Sequence, residues 1–83
     1  SRGGHDREAI TRFRESICID PNIGWTHHHL ALSLEKEGLL AESIEEFREA
    51  IRLSPEKRAD WKRDLRRVLL RQNRGNEVRA HWK

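Results

Sequence analysis

The sequence is short of the residues from which buried pockets and covalent frameworks are made. Its one cysteine, Cys18, cannot form an internal disulfide. It has no Met, no Tyr and five aromatics (Phe13, Trp25, Phe47, Trp61 and Trp82), too few large side chains for a deep cofactor cavity in 83 residues. Only 35% of the residues are hydrophobic, against 37% charged, and the longest apolar stretches lie around Leu39 to Ala41 and Val68 to Leu70. Both fall far short of the roughly 20 residues that cross a bilayer. These shortages exclude a membrane-spanning helix and disfavour an enzyme with a buried site. A binding or structural role is expected, without cofactor, in the cytoplasm. The chain opens on Ser rather than Met and shows no basic-then-apolar leader, which reads as a segment of a longer protein.

Charge is plentiful but unevenly placed. Residues 1–56 carry 7 Lys/Arg against 11 Asp/Glu and residues 57–83 carry 10 against 3, so a net charge of +3 divides into −4 and +7. The last third should attract acidic surfaces, those of a neighbouring copy included. A merely solvated helical face is the plain alternative.

Internal repetition gives the architecture. Glu8 to Asn22 laid over Glu42 to Glu56, an offset of 34, shares seven of fifteen residues, and Ser16/Ala50 and Ile19/Leu53 are conservative changes. The same offset carries Gly4 onto Gly38 and Pro21 onto Pro55, so chain breakers repeat in register with apolar positions. Ile10, Phe13, Ile17 and Ile44, Phe47, Ile51 recur at i, i+3, i+7, one stripe per helix, and each helix needs a neighbour to cover it. Gly38 supplies a left-handed helix end, Ser54-Pro55 reads as a cap with Pro in the first turn, and Asp6 is a further cap candidate.

A period of 34 with these residues resembles the tetratricopeptide repeat, a helix-turn-helix unit. In residues 23–57 the first helix offers Leu30, Ala31 and Leu34, Gly38 makes the turn, and the second helix offers Ser43, Phe47 and Ala50 before the closing Pro55. Ser43 stands where Ala is usual and His27 where a large aromatic is usual. Residues 1–22 correspond to the second helix of a preceding unit. Residues 58–83 correspond to a further first helix, with the stripe Trp61, Leu65, Val68 and Leu69, then a turn at Gly75-Asn76 and the start of another helix carrying Val78 and Trp82. Asp64 occupies a position where Leu is expected. The resemblance implies an all-α, short right-handed solenoid of stacked helix-turn-helix repeats, with helices near 6–19, 24–37, 40–53, 57–73 and 77–83 and antiparallel neighbours.

Little in the chain points to chemistry. Adjacent residues of a helix lie about 100° apart, so His27, His28 and His29 cannot converge on one ion, and no second His or Cys lies one turn away; no metal is expected. Cys18 corresponds to Arg52 and reads as an ordinary exposed thiol. No phosphate loop, catalytic triad or carboxylate pair can be assembled, and the chain is not read as an enzyme. His27 belongs to the seam between helices. The resemblance places Trp25, His28, His29, Leu32, Lys62, Arg63 and Arg66 along a concave groove, where an acidic peptide or partner helix would bind; nucleic acid is disfavoured because aromatics are not interleaved with the basic residues. The family's clamp for a C-terminal carboxylate is not present, since His29 and Ala59 stand where its Asn and a Lys would be. Two functions are expected from this pattern. One is a protein-interaction scaffold; the other is a structural spacer or self-association element, forming a homo-oligomer through incompletely covered terminal helices.

Overall fold

Among the described residues four helices form from the stripes, α1 (Arg2–Ile19), α2 (Gly24–Lys36), α3 (Leu40–Leu53) and α4 (Arg58–His81), with a 3-10 turn at Pro55–Lys57 ahead of α4. The structure, a computed structural model, describes residues 2–81, and the side chains of residues 6–76. No strand occurs among the described residues. The fold is therefore all-α, as the sequence predicts.

Local chemistry fixes the breaks. At Gly38 the backbone takes φ +81°. Its N–H donates to the Glu35 carbonyl at 3.0 Å and the Leu39 N–H donates to the Leu34 carbonyl at 2.9 Å, the paired bonds that close a helix in a Schellman motif. Between α1 and α2 the Asn22 N–H donates to Asp20 Oδ1 at 3.2 Å, which turns the chain around Pro21. Pro55 opens the 3-10 turn, where its missing N–H costs nothing. Gly24 lies against the end of α3: a β-carbon there would fall 2.9 Å from the Ala50 carbonyl and still nearer the Ser54 side chain.

Three local expectations are corrected. Helix α1 begins at Arg2, so Asp6 lies within its second turn and caps nothing. Ser54 precedes Pro55 but makes no side-chain cap bond. Helix α4 runs unbroken through Gly75 and Asn76 to His81, so the expected turn and fifth helix are absent. Glycine inside a helix costs only about 1 kcal/mol, which a long helix with favourable residues on both sides absorbs. The side chain of Val78 and all of Trp82 lie outside the described residues.

Contacts fix the directions. Arg7 meets Glu37 and the Phe13 ring meets His29, so α1 and α2 are antiparallel. His27 meets Glu46 and Ser43 meets Ala31, so α2 and α3 are antiparallel too. His28 meets Asp64 and Glu35 meets Arg67, so α4 runs beside α2 in the same direction. Packing is sequential: α1 on α2, α2 on α3, α3 on α4.

The apolar core lies in two patches on either side of α2. Ile10, Leu30 and Leu34, with Phe13 and Ile17, join α1 to α2. Ala31, Ile44, Phe47 and Val68, with Leu32, Leu40, Leu65 and Leu69, join α2, α3 and α4. Phe47 of α3 is wholly buried, packed with Ala31 of α2 and Val68 of α4. The resulting body is a slab of 44 × 32 × 18 Å.

Candidate interaction surface

The polar side chains on the flank shared by α2 and α4 form one network. Glu35, nearly buried near the end of α2, accepts two hydrogen bonds from Arg67 of α4, from Nε at 2.7 Å and from Nη2 at 2.6 Å. A bidentate pair of this kind fixes the guanidinium plane. The third donor of Arg67, Nη1, reaches Asp64 Oδ1 at 2.8 Å. Arg71 adds a longer contact to Glu35, 3.6 Å to Oε2. Asp64 also accepts from His28 Nε2 at 3.0 Å, and the His28 ring stacks on Trp61 with centroids 4.5 Å apart and planes 11° apart. Burial pushes the Asp64 carboxyl upward, but the hydrogen bonds from His28 and Arg67 outweigh it and hold the group below its ordinary value. Arg67 is raised by the Glu35 hydrogen bond above all. A polar residue in a Leu position is thus satisfied across the helix interface.

At the opposite edge of α2 the aromatic side chains form a row. The ring of Trp25, 60% exposed, lies 3.8 Å from that of His29, which lies 5.9 Å from Phe13 of α1. Burial and the neighbouring His28 lower the His29 pKa. The row is a platform at the α1–α2 seam.

His27 is buried in the seam between α2 and α3, as the sequence predicts. Its Nδ1 stands 2.6 Å from Glu46 Oε1 and its Nε2 2.8 Å from the Pro21 carbonyl. Nε2 can donate to the Pro21 carbonyl, and the protonated ring donates to the Glu46 carboxylate from Nδ1 as well. Burial opposes that charge, yet the Glu46 and Pro21 hydrogen bonds prevail and the pKa is raised.

The seven residues assigned to a groove are distributed rather than gathered. Trp25 and His29 share the aromatic platform, His28 is engaged with Asp64 and Trp61, and Leu32 is half-buried against the cluster around Phe47. Lys62, Arg63 and Arg66 are exposed on α4. Arg63 and Arg66 border a shallow open trough with Arg67, Leu70, Arg71 and Arg74; Lys62 stands beyond its edge. Among the described residues Lys62, Arg63, Arg66 and Arg74 enter no ion pair. Glu35, Glu46 and Asp64 were not legible as network members, because only the packing shows which faces meet; the signal present was a His and an Asp standing in apolar positions of the repeat.

No group of three or more His, Cys, Asp or Glu side chains able to hold a metal occurs among the described residues, and no described helix is long and apolar enough to cross a membrane. No protein-family model matches the chain, and a search of curated proteins finds no relative.

Proposed function

We propose that the chain is a protein-interaction scaffold: a short right-handed solenoid segment of tetratricopeptide type that binds an acidic peptide or partner helix. The observation that carries this reading is the division of labour on α4. Asp64, Arg67 and Arg71 are occupied by α2, whereas Lys62, Arg63 and Arg66 are exposed and enter no ion pair among the described residues. Exposed cations that no carboxylate of the fold pairs with are available to a partner. The repeat reading is supported by packing that recurs with the sequence offset: Ile10 and Phe13 cover α2 as Ile44 and Phe47 cover α4. Titrating the chain with acidic peptides at low and high salt tests it. Saturable binding that weakens as salt rises is expected, and no saturable binding under either condition overturns it.

A structural or self-associating role is the second reading, favoured by a difference between equivalent residues. Ser43, Phe47 and Ala50 of α3 are buried, whereas Ala9 and Phe13 of α1 are only half-buried and Ser16 is exposed. One flank of α1 lacks the cover that α2 gives α3.

A further inference from the structure

Helix α4 carries two adjacent ridges at i, i+4 spacing, Lys62, Arg66, Leu70, Arg74 and, beside it, Arg63, Arg67, Arg71. They differ in freedom. Arg67 is clamped by Glu35 and Asp64, and Arg71 leans on Glu35, so the second ridge beyond Arg63 is held from within the fold. The first ridge has no ion pair among the described residues, and in its middle Leu70 stands half-exposed, an apolar side chain ringed by guanidinium groups. Ridges at this spacing are the surface through which helices interlock.

We infer that this strip takes an acidic amphipathic helix of a partner protein, one whose own ridge sets an apolar side chain between carboxylates a turn to either side. The apolar residue seats on Leu70 while the carboxylates reach Arg66 and Arg74, and Arg63 closes the side. The inference rests on the interaction-scaffold reading and narrows it to a surface and a partner chemistry. Charge complementarity follows from Arg63, Arg66 and Arg74, which are exposed and enter no ion pair among the described residues. Leu70 decides between polyanions. A phosphodiester backbone offers it no apolar contact, and no aromatic residue lines the trough for a base to stack on.

The test uses the full chain and three helical peptides labelled for anisotropy. One has Glu, Leu and Glu at i−4, i and i+4, one has that Leu replaced by Ser, and one has the same composition with the spacing scrambled. A single-stranded oligonucleotide serves as the phosphate probe. The first peptide is expected to bind most tightly. Leu70→Ser should weaken it about five- to tenfold and leave the Ser peptide nearly unaffected, while Arg66→Glu should weaken it by more than about tenfold. Both positions are exposed, and unchanged circular dichroism and melting of the two variants confirm an intact fold. If the peptides bind the variants as they bind the original chain, and Trp25→Ala abolishes binding, the partner lies on the aromatic platform: the strip is overturned and the scaffold reading stands. Oligonucleotide binding that is equally tight and indifferent to Leu70→Ser overturns the peptide in favour of a phosphate ligand. A dimer of the chain alone that Arg66→Glu dissolves puts a second copy in the strip and overturns the foreign partner. If no peptide binds saturably, the strip and the scaffold reading fall together.

Discussion

His27 shows how a single side chain can tie a local structure to pH. Its proton is held by Glu46 and the Pro21 carbonyl against the cost of burial, with Glu49 adding a weaker attraction, so its folded pKa lies above the ordinary value near 6.5. The stabilisation is complete below that value and is lost as pH rises through the raised one. His29 opposes it, since burial and His28 lower its pKa and acid forces a charge onto it. Urea unfolding at successive pH values should therefore show stability declining on the alkaline side of about 6.5, and His27→Gln should flatten that decline. A His27 resonance titrating below the ordinary value would contradict the double-acceptor geometry. Packing gives the other prediction at this scale. Phe47 is 0% exposed, and Phe47→Ala should cost about 3 to 5 kcal/mol, whereas Arg66→Ala on the open surface should change stability by less than about 0.5 kcal/mol. Equal melting temperatures for the two variants would reverse the assignment of core and surface.

At the level of the elements, a sequence speaks most clearly where one residue has one physical meaning. Gly38 ends α2 because few other residues take its backbone angle, and the stripe around Phe47 has only one apolar side to bury. Both are legible in the sequence alone. Gly75-Asn76 was not, because the same pair that makes a good turn is also tolerated in a helix at modest cost, and flanking residues decide which. The network on α2 and α4 was hidden for a different reason: Glu35 and Arg67 are 32 residues apart, and nothing local to either announces the other. The continuous helix makes a definite expectation. A β-carbon at Gly75 would meet nothing within 4 Å, so Gly75→Ala should raise both helicity and stability, by about 0.5 to 1 kcal/mol. A loss of stability on that substitution would restore the turn.

At the scale of the molecule, the slab gathers most of its buried apolar residues in two patches that share α2, and neither patch joins all four helices among the described residues. Stability in such an arrangement is a chain of neighbour contacts, and an end helix with one open flank is its weakest member. The half-covered Phe13 and the exposed Ser16 mark that flank on α1, while α4 presents mainly charge to solvent. Self-association is therefore expected through α1, driven by apolar cover. Sedimentation at tens of micromolar should show an oligomer that persists at high salt and is lost on Phe13→Ser. A monomer of 9.9 kDa throughout would remove the expectation. An oligomer that dissolves in salt would move the contact to the charged half.

The His27–Glu46 pair also has a bearing on how the chain chooses between its own parts. Helices α1 and α3 are near copies, and α2 must accept one on each side without exchanging them. Arg12 occupies in α1 the place that Glu46 occupies in α3. Were α1 to settle in the slot of α3, it would set a guanidinium against the His27 ring in place of the carboxylate that now pairs with it. Two look-alike helices are thus told apart by the sign of one charge, and the discrimination is sharpest while His27 keeps its proton. A contact of this kind bears on fidelity of assembly as well as on strength.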